Sequence, residues 1–180
     1  MQELINFIVG IFIAIYYLFQ PPLNTVSGVN VDKYVGTWYE ISRLPNNFED
    51  ANCRNITATY SKNSDGTIGV INKCELNGNN DTVTGTAYPQ DKRNSKLFVV
   101  FPFFQGIGFP GPYWILKLGP IEYEQYSYAI VGEKSRRFYW ILSRSPTMNP
   151  ELLQELKEFG RLRGFPVDTM IDTPHDEIVK

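Results

Sequence analysis

Residues 36–43 read Gly36-Thr37-Trp38-Tyr39-Glu40-Ile41-Ser42-Arg43, a short run of aromatic and β-branched side chains of the kind that packs well on a pleated surface. From Thr37 onward such runs recur, near 37–44, 55–61, 67–76, 82–88, 95–101, 112–118, 126–132 and 138–144, each closed by a cluster of Gly, Pro, Asn or Asp. Short strands at regular spacing with turn residues between them predict a β-meander of eight strands. Asn63-Ser64-Asp65-Gly66 has the chemistry of a tight hairpin turn, its glycine free to take a positive φ.

After the eighth run the period changes. Asn149 can cap a helix, Pro150 suits its first position and Glu151 its positive end, and Leu152, Leu153, Leu156, Phe159 and Leu162 form one apolar stripe before Gly164. One amphipathic helix is therefore expected against the outside of the sheet. An extended piece near 167–171 is placed for an edge pairing, and the residues from 176 to 180 read as a polar tail. No internal repeat or low-complexity tract interrupts the chain.

At 180 residues the length suits one domain plus a short targeting segment. Eleven Tyr and twelve Phe against one His lean it further toward strands. Lys and Arg are scattered and the formal net charge is −2, so the basic stripe that tracks a phosphate backbone is missing and nucleic acid is excluded as a partner. The first stretch, Leu4 to Phe19, is nearly unbroken apolar sequence ended by Gln20-Pro21-Pro22. It reads as an N-terminal apolar helix, either the core of a cleaved signal peptide or a retained membrane anchor. Glu3 and the lack of Lys or Arg before it count against the first, and its brevity against the second. The expected division is 1–28 as this segment and 29–175 as the folded domain, which either way lies on the non-cytosolic side, secreted or anchored. No cysteine precedes residue 31, so a bacterial type of lipid attachment has no acceptor.

Eight antiparallel strands and a helix fit either a sandwich or a closed barrel, closure having the advantage that it removes exposed edges and leaves room for one small ligand. Gly36-Thr37-Trp38-Tyr39 matches the G-x-W-[YF] motif, and Arg144 in Trp140-Ile141-Leu142-Ser143-Arg144 matches the arginine that ends the last strand. With the further words Ile56 to Ser61, Val70 to Lys73, Pro112 to Leu116 and Trp140 to Thr147, the chain from about Val31 to Asp172 resembles the lipocalin family, in its apolipoprotein D and bacterial lipocalin group. The resemblance implies an eight-stranded up-and-down β-barrel in which Gly36, Trp38 and Arg144 form a closing motif. Topology agrees: the first and last strands begin and end at the same end, so closure brings Trp38 to Arg144, where a guanidinium over an indole is worth about 0.5–2 kcal/mol. One element departs from the family, the link from Gly119 to Tyr126, which is altered and longer.

Side chains on a barrel strand alternate inward and outward. If Arg144 faces inward, so do Leu142 and Trp140. The resemblance places Tyr60 and Tyr113 inside, and Phe98 and Ile130 are assigned there by parity. Such an interior suits a small lipophilic ligand: a fatty acid, a lysophospholipid, or a sterol-like or retinoid-like molecule. The link from Phe101 to Gly111 carries Phe103, Phe104, Ile107 and Phe109 at the expected mouth. These side chains either dip into a membrane surface or fold inward as a lid. Cys53 and Cys74 are the only cysteines, and pairing across the Asn63 turn opposes positions whose numbers sum to about 127–129, as theirs do. A cross-strand disulfide is expected, the alternative being a reactive thiol. Asn55-Ile56-Thr57 and Asn80-Asp81-Thr82 fit the glycosylation acceptor pattern.

Binding and carriage of the ligand is thus the first reading of function. A lipid-modifying enzyme using Cys53 is the second, although the single His175 lies near the tail and no metal cluster, phosphate loop or catalytic triad accompanies it. A surface interaction module without cargo is the third. No cofactor is expected, and no motif announces an oligomeric state.

Overall fold

The computed structural model describes residues 1–3, 5, 7, 22–102 and 108–176. The expected N-terminal apolar helix therefore lies largely outside the described residues. Within them, the chain enters along an extended segment to a one-turn helix α1 (Val31–Tyr34), whose cap Asn30 accepts from the Asp32 amide. Strands β1 (Gly36–Arg43), β2 (Arg54–Lys62), β3 (Ile68–Leu76), β4 (Asn79–Pro89), β5 (Lys96–Pro102) and β6 (Gly108–Leu118) follow as an antiparallel meander. A small hairpin, β7 (Ile121–Glu122) and β8 (Gln125–Tyr126), precedes β9 (Tyr128–Gly132) and β10 (Tyr139–Ser143). Because β10 pairs with β1, through Tyr39 opposite Ser143 and Arg43 opposite Trp140, the eight long strands close into a barrel and leave no open edge between first and last.

Local chemistry accounts for the corners. Gly66 takes a φ of +85° in the β2–β3 turn as its sequence requires. In the link that departs from the family pattern, Tyr123 and Glu124 take φ of 48° and 64° at the tip of the β7–β8 hairpin. That is the positive-φ pair of a type I′ turn built from residues that seldom adopt it. In β1 Glu40 follows Trp38 onto the inner face, and a bulge between Glu40 and Ser42 then turns Arg43 inward as well while Ile41 and Ser42 face out. At that end β2 parts from β1, and β11 (Ile171–Asp172) fills the gap by pairing with Ser42 and Arg43. The expected extended piece at 167–171 is thus a 3₁₀ turn, Val167–Thr169, followed by this two-residue strand.

Helix α2 (Pro150–Arg161) begins on Asn149, whose side chain accepts from the Leu152 amide at 3.0 Å. Leu156 is fully buried and Leu152, Leu153 and Phe159 pack beside it on an outer cluster of Ile41, Leu116, Tyr139 and Ile141. Leu162, expected on that stripe, lies past the last turn and is 70% exposed. Gly160 allows close approach, since a Cβ there would sit 2.8 Å from the Tyr139 ring. The inner cluster is separate: Trp38, Tyr60, Ile68, Val70, Leu97 and Ile115 are among its members.

Candidate functional site

Three tyrosines from three elements converge inside the barrel at its Trp38 end. The Tyr113 hydroxyl on β6 lies 2.7 Å from that of Tyr34 on α1 and 3.0 Å from that of Tyr60 on β2. Burial pushes the Tyr60 hydroxyl up to about 12 and holds Tyr34 and Tyr113 well above the ordinary tyrosine range, so all three are neutral phenols. They line a cavity of about 290 Å³ whose apolar wall includes Ile68, Ala87, Leu97, Val99 and Ile115. The same cavity extends to Lys62, Asn63 and Gly66 beside α1, at the end that the closing motif occupies.

That motif is assembled tightly. The Arg144 guanidinium lies 3.7 Å from the Trp38 ring centroid. Its nitrogens donate to the carbonyls of Thr37 at 2.8 Å, Tyr34 at 2.8 Å, Val35 at 3.0 Å and Lys33 at 3.2 Å, and to Tyr126 at 3.3 Å. Trp38 is fully buried and its indole N–H donates to the Tyr34 carbonyl at 2.8 Å. The stopper therefore also fixes α1, and through it the Tyr34 wall of the cavity. Gly36, at φ +99°, is crowded by Arg144, whose Nη1 would lie 3.3 Å from an added Cβ.

Of the residues assigned to the interior, Tyr60 and Tyr113 line the cavity, while Leu142 and Trp140 share the inner face farther along β10. Phe98 and Ile130 do not face inward. Phe98 opposes Tyr88 on the outside and is 36% exposed, its neighbours Leu97 and Val99 taking the inner positions. Ile130 is buried in the outer cluster beneath α2, flanked by inward Ala129 and Val131. Both strands are apolar on both faces there, so alternation carries no signal. Phe103, Phe104 and Ile107 lie outside the described residues. The expected long loop is shorter than predicted, because Gly108–Leu118 is one strand in which Phe109 pairs with Phe101.

At the other end of β1 lies a buried polar cluster that sequence reasoning missed. Arg43, 1% exposed, donates to Glu40 Oε1 at 2.8 Å and to the Asp50 carbonyl at 2.8 Å, and its Nε stands 3.3 Å from Glu49 Oε2. Thr173 also donates to Glu40, and the Trp140 indole to Glu49 at 3.3 Å. Burial, and then the neighbouring Glu49 charge, push the Glu40 carboxyl above the ordinary range. The cluster pins the β1–β2 link and the C-terminal segment. Alternation from Trp38 puts Glu40 inside, but its partner Arg43 lies beyond a bulge that alternation cannot foresee. Beside it, Phe138 stacks on Trp140 with centroids 5.8 Å apart, and Phe48, 53% exposed, leans on both.

Cys53 and Cys74 form a disulfide with Cα atoms 5.6 Å apart. The register behind it differs from the expected one: Tyr60 opposes Val70 and, past an irregularity at Asn55, Arg54 opposes Glu75, so the two cysteines meet diagonally. Bonded, Cys53 has no thiol to offer, which removes the nucleophile of the enzymatic alternative. Among the described residues no group of His, Cys, Asp and Glu could hold a metal ion, and no helix is long and apolar enough to cross a membrane.

A closed meander of eight strands, stoppered at one end, buttressed by one helix and hollow within defines a calyx-shaped barrel with room for a small molecule. The chain belongs to the lipocalin family: the model of the lipocalin-like domain matches residues 29–175. It is 35% identical over 160 residues to temperature-induced lipocalin-1 of Arabidopsis thaliana, covering 86% of this chain and 84% of that one. It is 36% identical over 164 residues to apolipoprotein D of Mus musculus, covering 85% and 79%. In fold it is similar to insecticyanin from the tobacco hornworm Manduca sexta, with a TM-score of 0.67 at 21% identity over 88% of this chain and 87% of that one.

Proposed function

We propose that this chain binds and carries one small lipophilic molecule inside its barrel, on the non-cytosolic side and at a membrane surface. The observation that carries the reading is the hollow of about 290 Å³ walled by apolar side chains and three neutral phenols, the composition of a site for a small amphipathic molecule. Membership of a family that binds small hydrophobic ligands supports it. The Cys53–Cys74 disulfide and the apolar N-terminal run support an oxidising compartment beside a membrane. Fatty acid, lysophospholipid, sterol-like and retinoid-like molecules are the candidate classes.

The test is displacement of a neutral, environment-sensitive dye by a panel of these lipids, on the wild type and on Ala87→Phe, which places a ring in the cavity wall. Saturable binding to the wild type and its loss in a folded Ala87→Phe variant are expected. Equal binding to both would remove the cavity from the account.

A further inference from the structure

We propose that the cavity takes a lipophilic molecule ending in one uncharged hydrogen-bonding group, a hydroxyl or a carbonyl, seated on the hydroxyls of Tyr34, Tyr60 and Tyr113. The proposal rests on the reading of the chain as a carrier and selects among its ligand classes. Three phenols bring three protons. The Tyr113 hydroxyl contacts both others, at 2.7 and 3.0 Å, and each contact consumes one proton. Among the described residues no other hydrogen bond reaches these oxygens, so the cluster offers a ligand one donor together with spare lone pairs. A hydroxyl or a carbonyl matches that offer.

An ionised carboxylate does not. It would surrender its hydration on entry and needs a cation or several donors in return. Among the described residues the only cationic side chain on the cavity wall is Lys62, at the exposed rim, and it is paired with Asp32. The Arg144 guanidinium is stacked on Trp38 and engaged by five backbone carbonyls. Burial keeps the phenols protonated, so they supply no charge of their own at neutral pH. The apolar side of the cavity then selects the remainder of the ligand. About 290 Å³, at roughly 30 Å³ per water-sized group, holds roughly ten such groups.

A matched pair of that size tests the proposal: 1-decanol and decanoate, titrated at pH 8 by dye displacement, with naphthalene as a ligand that makes no conventional hydrogen bond. The wild type should bind decanol at least about tenfold more tightly than decanoate. Replacing Tyr34, Tyr60 and Tyr113 together with Phe removes every donor and acceptor of the seat and should weaken decanol about three- to tenfold while leaving naphthalene unchanged; should that variant fail to fold, the decanol–decanoate ratio on the wild type keeps the proposal falsifiable. Decanoate binding as tightly as decanol would overturn the proposal. So would decanol affinity untouched by loss of all three hydroxyls, or binding of naphthalene alone, although both would leave the carrier reading standing. Failure of all three to bind would sink the carrier reading itself.

Discussion

Replacing Arg144 with Ala removes the stopper of the barrel in one step. The side chain stacks 3.7 Å from the Trp38 ring centroid and donates to five carbonyls, those of Lys33, Tyr34, Val35, Thr37 and Tyr126. The stack is worth about 0.5–2 kcal/mol. Hydrogen bonds from a charged donor contribute about 1.5–3 kcal/mol where buried, but Arg144 is only half-buried and water reaches some of the carbonyls once it is gone. Counting the stack and one such bond in full gives a loss of about 2–5 kcal/mol, which in a domain of this length lowers Tm by roughly 5–20 °C. Urea unfolding followed by tryptophan fluorescence measures it. Arg144→Lys keeps the charge but not the planar fork, so it should recover about 1 kcal/mol and no more. A loss under about 1 kcal/mol for the Ala variant, or a Lys variant indistinguishable from the wild type, would refute the argument that this guanidinium holds the ends of the sheet together.

Arg43→Met leaves Glu40 buried without its cation and should cost about 3–5 kcal/mol at pH 8. Because the folded-state pKa of Glu40 is already raised and rises further without Arg43, the deficit should shrink as pH falls toward the unfolded carboxyl value, which chemical unfolding at pH 5 and 8 would check. Tyr123→Asn with Glu124→Gly installs residues suited to the positive φ of the β7–β8 turn and should stabilise by about 1 kcal/mol, even after loss of the exposed Lys33–Glu124 ion pair; an unchanged urea midpoint would count against the assignment of strain. Starting the chain at residue 29 instead of 22 deletes the Val26 amide bond to the Ile115 carbonyl, the Thr25–Ser95 contact, and the packing of Leu23 and Val26. It should lower stability by about 2–3 kcal/mol, read as a drop in Tm between the two lengths.

How much of this was legible beforehand varied with the local physics. The strands were legible because their turns are marked: Gly66 ends the β2–β3 turn as its sequence announces. The closing motif was legible because Trp38 and Arg144 sit at ends that an even meander must bring together. The β7–β8 hairpin was not, since Tyr123 and Glu124 carry none of the usual turn chemistry. The inward face of β1 was lost after Glu40 at the bulge, which hid Arg43 and with it the ion pair. Phe98 and Ile130 were misplaced for a different reason: β9 is buried on both faces, one by the cavity side and the other by α2, and β5 carries an apolar residue on each face whether covered or not. Tyr34 escaped notice because it enters the interior from a one-turn helix beneath the barrel, off any strand period.

The central claim is that the hollow is a seat for cargo. Native mass spectrometry of the protein purified without detergent, then offered a mixture of neutral and ionised lipids, addresses it directly. One lipophilic molecule per chain, released on unfolding and displaced stoichiometrically by 1-decanol, is the predicted spectrum. A chain that stays at its bare mass through every addition would contradict it.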